Sequence, residues 1–338
     1  MQHYPVMLPD VMKQLECKTQ GHYIDATFGV GGYSKAMLEA AHCSVIGFDR
    51  DPAALSYMDA LSAQFSGRFY GIESCFDQMR DQLSTCPLQS IHTPDFAGFD
   101  GIIFDLGVSS PQLDQAERGF SFAKDGPLDM RMSQSGQSAA DLLENIDEAS
   151  LADILYHYGE ERQARKIAAA IVKKQMELKA QGTRLSTTQA LASLIEDIMP
   201  RGRNKKGSGK QIHPATRSFQ AIRIAVNQEL KQLETALMQA LHLLKINGKL
   251  LVVSFHSLED RIVKQFMRHH SDIGGGGSRY RPENPLKTPS LKIINRKPYT
   301  ASQDELSENI RSRSAKLRVA VKIDHPAPLA ANKAYHHV

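Results

Sequence analysis

Short apolar runs alternate with helix-like segments along the first third of the chain. Four of these runs have the composition of strands: HYIDAT (22–27), SVIGFD (44–49), RFYGI (68–72) and GIIFDLG (101–107). Strands that alternate with helices are typical of a parallel sheet covered by helices on both faces. Each run ends at or near an acid or a glycine, and the carboxyl ends of such strands are where a doubly wound sheet binds its ligand. The pattern predicts an α/β protein with its site at that edge.

The alternation stops after the fourth run. Residues 112–213 contain helix-like segments and no convincing strand pattern. We therefore predict an all-helical insert over 112–213, in a discontinuous main domain formed by 1–111 and 214–324. We assign the insert to substrate recognition and expect cofactor binding to survive its removal. Residues 325–338 are expected to form a flexible tail.

The sequence pattern in the last third of the chain predicts a long helix and then further strands of the same sheet. From Pro214, apolar residues recur at spacings of three and four, which predicts one long amphipathic helix that ends at Asn247-Gly248. The run KLLVVSF (249–255) would continue the parallel sheet. The run KLRVAVKI (316–323) alternates as an antiparallel edge strand does.

Composition narrows the class of protein. Hydrophobic residues make up 41% and charged residues 23%, which are ordinary globular values. The N-terminus has no export or import leader pattern, so we expect a cytoplasmic protein with no membrane association. The four cysteines are far apart and form no CxxC pair, so we expect reduced thiols: Cys17, Cys43, Cys75 and Cys86.

Basic residues are concentrated near the C-terminus. The net charge is only +4, but residues 261–297 contain nine bases and two acids. That asymmetry favours contact with phosphates. The run RGRNKKGSGK (201–210) fits an RNA-binding arm and a disordered linker equally well.

A glycine-rich turn follows the first strand. The segment DATFGVGG (25–32) leads from a strand into a helix, and its glycines allow a ligand to approach the backbone closely. Asp49 ends the second strand, at about the distance at which an acid binds ribose hydroxyls. Together they predict a nucleoside site. The alternative is a tight turn and a strand-end acid that bind no ligand. A nicotinamide cofactor is the main competitor, but the motif lacks the third glycine of dinucleotide sites.

Two further segments carry candidate chemistry. Asp105 ends the fourth strand and is followed by small residues and a proline. This segment resembles the short polar loop with which amino-methyltransferases hold the target amine. His256, with Glu259 and Asp260 one turn later, could be a metal site or the first turn of a helix. We favour the helix, because no third ligand follows at zinc spacing.

Several long blocks identify a resemblance. The segments ERGFSFAKDGPLDMRM (117–132), YGEER (158–162), HPATRSFQAIRIAVNQEL (213–230) and SFHSLEDRIVKQF (254–266) resemble the RsmH (MraW) family of rRNA cytosine-N4 methyltransferases. The similarity extends from about His3 to Val321. It implies a Rossmann-like class I sheet that binds S-adenosyl-L-methionine, with the helical insert after the fourth strand.

The resemblance also implies site residues. Cofactor-binding positions carried over from the family are Gly31, Gly32, Tyr33, Asp49, Phe76, Asp105 and Gln112. Tyr33 departs from the histidine expected after the paired glycines, so any hydrogen bond from its side chain to the cofactor would differ, and the position is kept for its backbone N–H. The candidate catalytic residues are Asp105, to orient the amine, with Ser109 and His256 for base contact or proton removal.

The implied reaction is N4-methylation of a cytidine in the decoding region, at the P site, of 16S rRNA. The partner would be the 30S subunit, and a homodimer is left open. Two alternatives remain. A DNA amino-methyltransferase should have an Asp/Asn-Pro-Pro-aromatic loop where this chain has DLGV (105–108). A non-catalytic RNA-binding protein on the same fold should have lost Asp49 or the glycine pair.

Overall fold

A seven-stranded sheet forms the centre of the molecule. The computed structural model describes residues 5–199, 213–271 and 288–324. The strands are β1 (His22–Asp25), β2 (Ser44–Asp49), β3 (Phe69–Glu73), β4 (Phe99–Asp105), β5 (Leu244–Ser254), β6 (Leu291–Ile293) and β7 (Lys316–Lys322). Their order is β3-β2-β1-β4-β5-β7-β6. Strands β1 to β5 pair in parallel, and β7 is antiparallel to both neighbours.

This topology confirms the predicted class I methyltransferase fold. The chain leaves β1 in one direction for β2 and β3, and returns on its other side for β4 and β5. The crevice at that reversal, beyond the carboxyl ends of β1 and β4, is where open α/β sheets bind ligands. The fold therefore brings the ends of β1, β2 and β4 to one site.

Helices cover both faces of the sheet. Outside the helical region that follows β4, the helices are α1 (Leu8–Leu15), α2 (Gly32–Ala40), α3 (Leu55–Gln64), α4 (Met79–Leu83), α11 (Glu229–Leu243), α12 (Ser257–Ser271) and α13 (Gln303–Glu308). Successive residues of β4 pack into the hydrophobic cores on opposite faces of the sheet, because side chains alternate along a strand. Ile102 and Phe104 pack with α4, α11 and α12, whereas Ile103 packs with α1, α2 and α3.

Two predictions about the sheet are wrong. Strand β7 is not at the edge, because the three-residue strand β6 pairs with its outer side. Such a short strand has no alternation from which it could be predicted. Asn247-Gly248 also does not end a helix. Strand β5 already begins at Leu244, and the pair lies within it beside a register shift between Phe99 and Gly101.

The helical region has a core of its own. Its helices are α5 (Ser110–Asp114), α6 (Ala139–Asn145), α7 (Glu148–Gly159), α8 (Ala164–Ala180), α9 (Thr188–Ile198) and α10 (Ala215–Asn227). The predicted single helix after Pro214 is wrong, since Gln228 adopts a left-handed conformation (φ 52°) between α10 and α11. Phe219 and Ile222 of α10 pack into the core of the insert. The division of the chain into domains stays a prediction.

All four cysteines are free thiols. Within the described residues, no helix has the length and apolar character needed to span a bilayer. The segment 201–210 and the tail 325–338 lie outside the described residues, as do residues 272–287 of the basic stretch 261–297.

Candidate active site

The glycine turn joins β1 to α2 under close packing. Gly29 and Gly31 have positive φ angles of 58° and 82°. A Cβ on Gly31 would lie 2.6 Å from the ring of Phe28, and one on Gly32 would lie 2.2 Å from Pro5. The glycines are thus required by their neighbours as well as by the turn.

Tyr33 uses its side chain inside the protein. Its ring is buried, and its hydroxyl donates to the carbonyl of Val6. Burial raises the pKa of this hydroxyl well above its ordinary value. The side chain therefore anchors the N-terminal segment, while the predicted role of its backbone in cofactor binding is untested.

Asp49 lies beside the glycine turn, where the ends of β1 and β2 meet. Its Oδ2 accepts from the Gly29 N–H at 2.7 Å, and its Oδ1 accepts from the Asp51 N–H at 2.8 Å. Burial raises the pKa of Asp49 to about 6 against the opposing effect of these hydrogen bonds. The predicted turn and acid are brought together, and the carboxylate is held by backbone.

Two cavities open next to these strand ends. The larger encloses about 390 Å³, open solvent included, and its lining includes Thr27, Arg50, Phe76, Leu106, Gly107 and Glu259. Phe76 forms one wall and packs edge-on against Phe104, with ring centroids 5.8 Å apart. The smaller encloses about 230 Å³, and its lining includes Gly29, Val30, Asp49, Asp51 and Ser109. Of the predicted cofactor residues, Phe76 lines the larger cavity and Asp49 the smaller, while the other five line neither.

Asp105 ends β4 with an unsatisfied oxygen. Its N–H donates to Thr27 Oγ1 at 2.6 Å, but its buried Oδ1 has no hydrogen-bond partner among the described residues. Burial raises its pKa well above the ordinary value, and the charges of Asp25 and Glu259 act in the same direction. The next two residues, Leu106 and Gly107, line the larger cavity. A buried acceptor without a partner is costly, and a ligand donor would relieve that cost.

Ser109 and Gln112 cap the short helix α5. Gln112 Oε1 accepts from the Ser109 N–H at 2.9 Å, and the Ser109 hydroxyl accepts from the Gln112 N–H at 3.4 Å. Gln112 Nε2 donates to Asp51 at 2.7 Å. Both polar ends of Gln112 are therefore engaged within the protein, and each end keeps one further hydrogen-bonding site that a ligand could use.

His256 lies immediately before α12, so the helix predicted for this segment does form. Its Nδ1 accepts from the Glu259 N–H at 3.4 Å, which leaves the ring proton on Nε2 if the imidazole is neutral. Nε2 lies 3.1 Å from Glu259 Oε1, but the pair lacks hydrogen-bond geometry. Burial acts to raise the pKa of Glu259, whereas His256 and Arg223 outweigh it and lower that pKa. The adjacent Asp260 faces away, toward Arg318 at 2.7 Å.

Comparison with known proteins assigns the family. The model of the MraW methylase family matches residues 1–323. The chain belongs to this family. The predicted resemblance is therefore confirmed over nearly the full chain.

Close relatives of this MraW-family chain include two proteins called ribosomal RNA small subunit methyltransferase H. The one from Rhodospirillum rubrum is 48% identical over 332 residues, covering 96% of this chain and 95% of the relative. The one from Bradyrhizobium diazoefficiens is 46% identical over 325 residues, covering 96% and 93%. Among solved structures, an rRNA methylase from Streptococcus thermophilus aligns over 96% of this chain and 99% of its own at 8% identity, with a TM-score of 0.41. Family membership rests on the sequence matches.

Sequence reasoning missed three polar residues of this candidate site. Thr27 fixes the Asp105 backbone, Glu259 lines the larger cavity, and the buried Asp51 receives Gln112. Glu259 was assigned only to a helix cap. Asp51 stands two residues after Asp49, yet its partners lie far along the chain, so no local signal marked it.

Proposed function

We propose that this methylase transfers the methyl group of S-adenosyl-L-methionine to N4 of a cytidine in the decoding (P-site) region of 16S rRNA. The substrate would be the small ribosomal subunit in the cytoplasm. The observation that carries the proposal is the unpartnered buried oxygen of Asp105 at the end of β4, in a chain of the MraW family. The names of the relatives support the rRNA substrate.

The residues at this edge fit the cofactor. S-adenosylmethionine carries no phosphate, so its site calls for carboxylates rather than many helix N–H donors. Asp49, held by two backbone N–H groups, would accept the ribose hydroxyls. Phe76 would cover the adenine, and the orphan oxygen of Asp105 would accept from the ammonium or the target amine. The cofactor supplies an electrophilic methyl group on sulfur.

The protein has to orient and deprotonate the amino group of cytosine, which is a poor nucleophile. The amino lone pair of cytosine is delocalised into the ring, so positioning must supply most of the rate enhancement. Asp105 would orient the amine by accepting one of its N–H groups. Ser109 and His256 are candidates for base contact or proton removal. The base must be unpaired or flipped out of its stack to reach the site.

Two alternatives from other classes remain. A DNA amino-methyltransferase is disfavoured by the DLGV sequence after β4, and a non-catalytic RNA-binding protein is disfavoured by the intact Asp49 and glycine pair. Purified protein should be incubated with methyl-labelled cofactor and 30S particles, naked 16S rRNA or DNA. We expect label in 30S particles, recovered as N4-methylcytidine after digestion. Label only in DNA, or in none of the three, would contradict the proposal.

A further inference from the structure

A buried ion pair links the insert to the end of β2. Arg118 and Asp51 are only 7% and 5% exposed, and Arg118 Nη1 lies 2.8 Å from Asp51 Oδ2. The second terminal nitrogen of Arg118 donates to the carbonyls of Arg131 and Met132 at 3.0 and 3.1 Å. A buried pair is maintained only when its remaining hydrogen-bonding groups are satisfied, and this one meets that condition.

Asp51 is the point where three chain segments meet. Its Oδ2 also accepts from Gln112, while its Oδ1 accepts from the Ala53 N–H at 3.0 Å and from Gln134 at 3.3 Å. These donors come from the turn after β2, from α5 and from the loop that enters the insert. The conformation of this turn therefore depends on residues 61 to 83 positions away.

The same turn holds the acid assigned to the ribose. The Asp51 N–H donates to Asp49 Oδ1, so a shift of the Asp51 backbone moves a donor that orients Asp49. Without Arg118, the Asp51 carboxylate would be buried without its cationic partner. Such a group moves toward water, and that movement disturbs the turn.

We propose that Arg118 is a positioning residue for cofactor binding, acting through Asp51 on Asp49. The proposal rests on the proposed function, because it requires S-adenosylmethionine as the ligand. It makes the insert part of the cofactor site as well as a candidate substrate-binding region. The expectation that cofactor binding survives removal of the insert would then fail.

The test compares two arginines of the same helical region. Arg118→Met removes the link, whereas the control Arg184→Met removes an exposed arginine that pairs with Asp141 and Glu144 of the insert. Calorimetry with S-adenosylhomocysteine should show a Kd about tenfold higher for Arg118→Met and unchanged for Arg184→Met. In methylation of 30S particles, Arg118→Met should raise the cofactor KM and keep kcat at saturating cofactor, which a general loss of stability would not do.

A double variant tests whether the effect passes through Asp51. Asp51→Asn combined with Arg118→Met should weaken binding by less than the product of the single effects, because no buried charge is then left unpaired. If Arg118→Met does not fold, Arg118→Lys keeps the charge but loses the paired carbonyl contacts, and should still raise Kd. A folded variant at position 118 with wild-type Kd would overturn the proposal. Failure of the wild-type chain to bind S-adenosylhomocysteine would instead overturn the proposed function, and this inference with it.

Discussion

Burial raises the pKa of three carboxyl groups at the ends of neighbouring strands. Asp25 and Asp49 have pKa values of about 6, and that of Asp105 is well above its ordinary value. Folded protein thus holds protons that the unfolded chain releases above about pH 4. The stability contributed by these groups is present at low pH and lost as the pH rises through their folded pKa values. At neutral pH these residues reduce stability, as functional groups often do.

Asp105→Asn should therefore change activity and stability in opposite directions. If Asp105 orients the amine, its contact strengthens as the methyl moves, so kcat on 30S particles should fall about 100-fold with little change in substrate affinity. The melting temperature should rise, because the amide removes a buried ionisable group without a partner. Turnover should be measured across a cofactor titration. Full recovery at high cofactor would leave Asp105 as a binding residue only.

The titration of Asp49 predicts how cofactor binding depends on pH. Ribose hydroxyls donate to the carboxylate, so the protonated acid must first lose its proton. The Kd for S-adenosylhomocysteine should rise as the pH falls below about 6, by up to about tenfold per unit for this group. Asp49→Asn should weaken binding at pH 8 and reduce the slope. Calorimetry from pH 5 to 8 measures this, and Asp59→Asn, on the exposed face of α3, is the control. An unchanged slope in Asp49→Asn would remove this residue from the ribose role.

At the scale of elements, the break between α10 and α11 separates two packing partners. Gln228 has φ 52°, and the helices on its two sides pack against different cores, the insert for α10 and the sheet for α11. A continuous helix would direct its apolar face to one side only. The turn at Gln228 therefore lets one amphipathic sequence serve both regions.

Replacing Gln228 by glycine should stabilise the protein. Glycine adopts a left-handed conformation without the Cβ penalty, so Gln228→Gly should gain up to about 1 kcal/mol and raise the melting temperature. Glu234→Gly, on the exposed face of α11, should lower it by a similar free energy, because glycine is a poor helix former. Scanning calorimetry of both variants is the measurement. A loss of stability in Gln228→Gly would show that its side chain matters more than its backbone.

At the scale of the whole molecule, the core of the insert extends beyond the predicted boundary at residue 213. Phe219 and Ile222 of α10 are buried in it, and Asn227 at the end of α10 donates to the Met130 carbonyl at 2.7 Å. Cutting the chain between the insert and α10 would expose that apolar face to water.

Two excisions test where the helical region ends. Deleting residues 115–212 leaves the apolar face of α10 exposed, so this chain should aggregate and bind a hydrophobic dye. Deleting 115–226 removes that face together with its partners, so this chain should be more soluble. Both deleted chains lack Arg118. Measurements of soluble yield and dye fluorescence for the two chains show which deletion matches the end of the helical region. Equal behaviour of the two chains would show that α10 belongs with the sheet.

Local sequence determined much of this protein. The apolar runs predicted β1 to β5, the glycine turn and Asp49 were located from their spacing, and the quoted blocks identified the family. These signals act between residues near one another in the chain. Helix and strand periodicity, turn glycines and strand-end acids all depend on neighbours of this kind.

Only the tertiary structure decided which distant side chains meet. Asp51 contacts Gln112 and Arg118 across 61 and 67 residues, and Thr27 binds the Asp105 backbone across 78. The same holds for the three-residue β6, which forms because β7 offers it an edge. Such contacts follow from strand order and helix packing, so no spacing in the sequence specifies them. Buried polar groups take the partners that the fold places within reach, because leaving them unpaired costs more than any local preference.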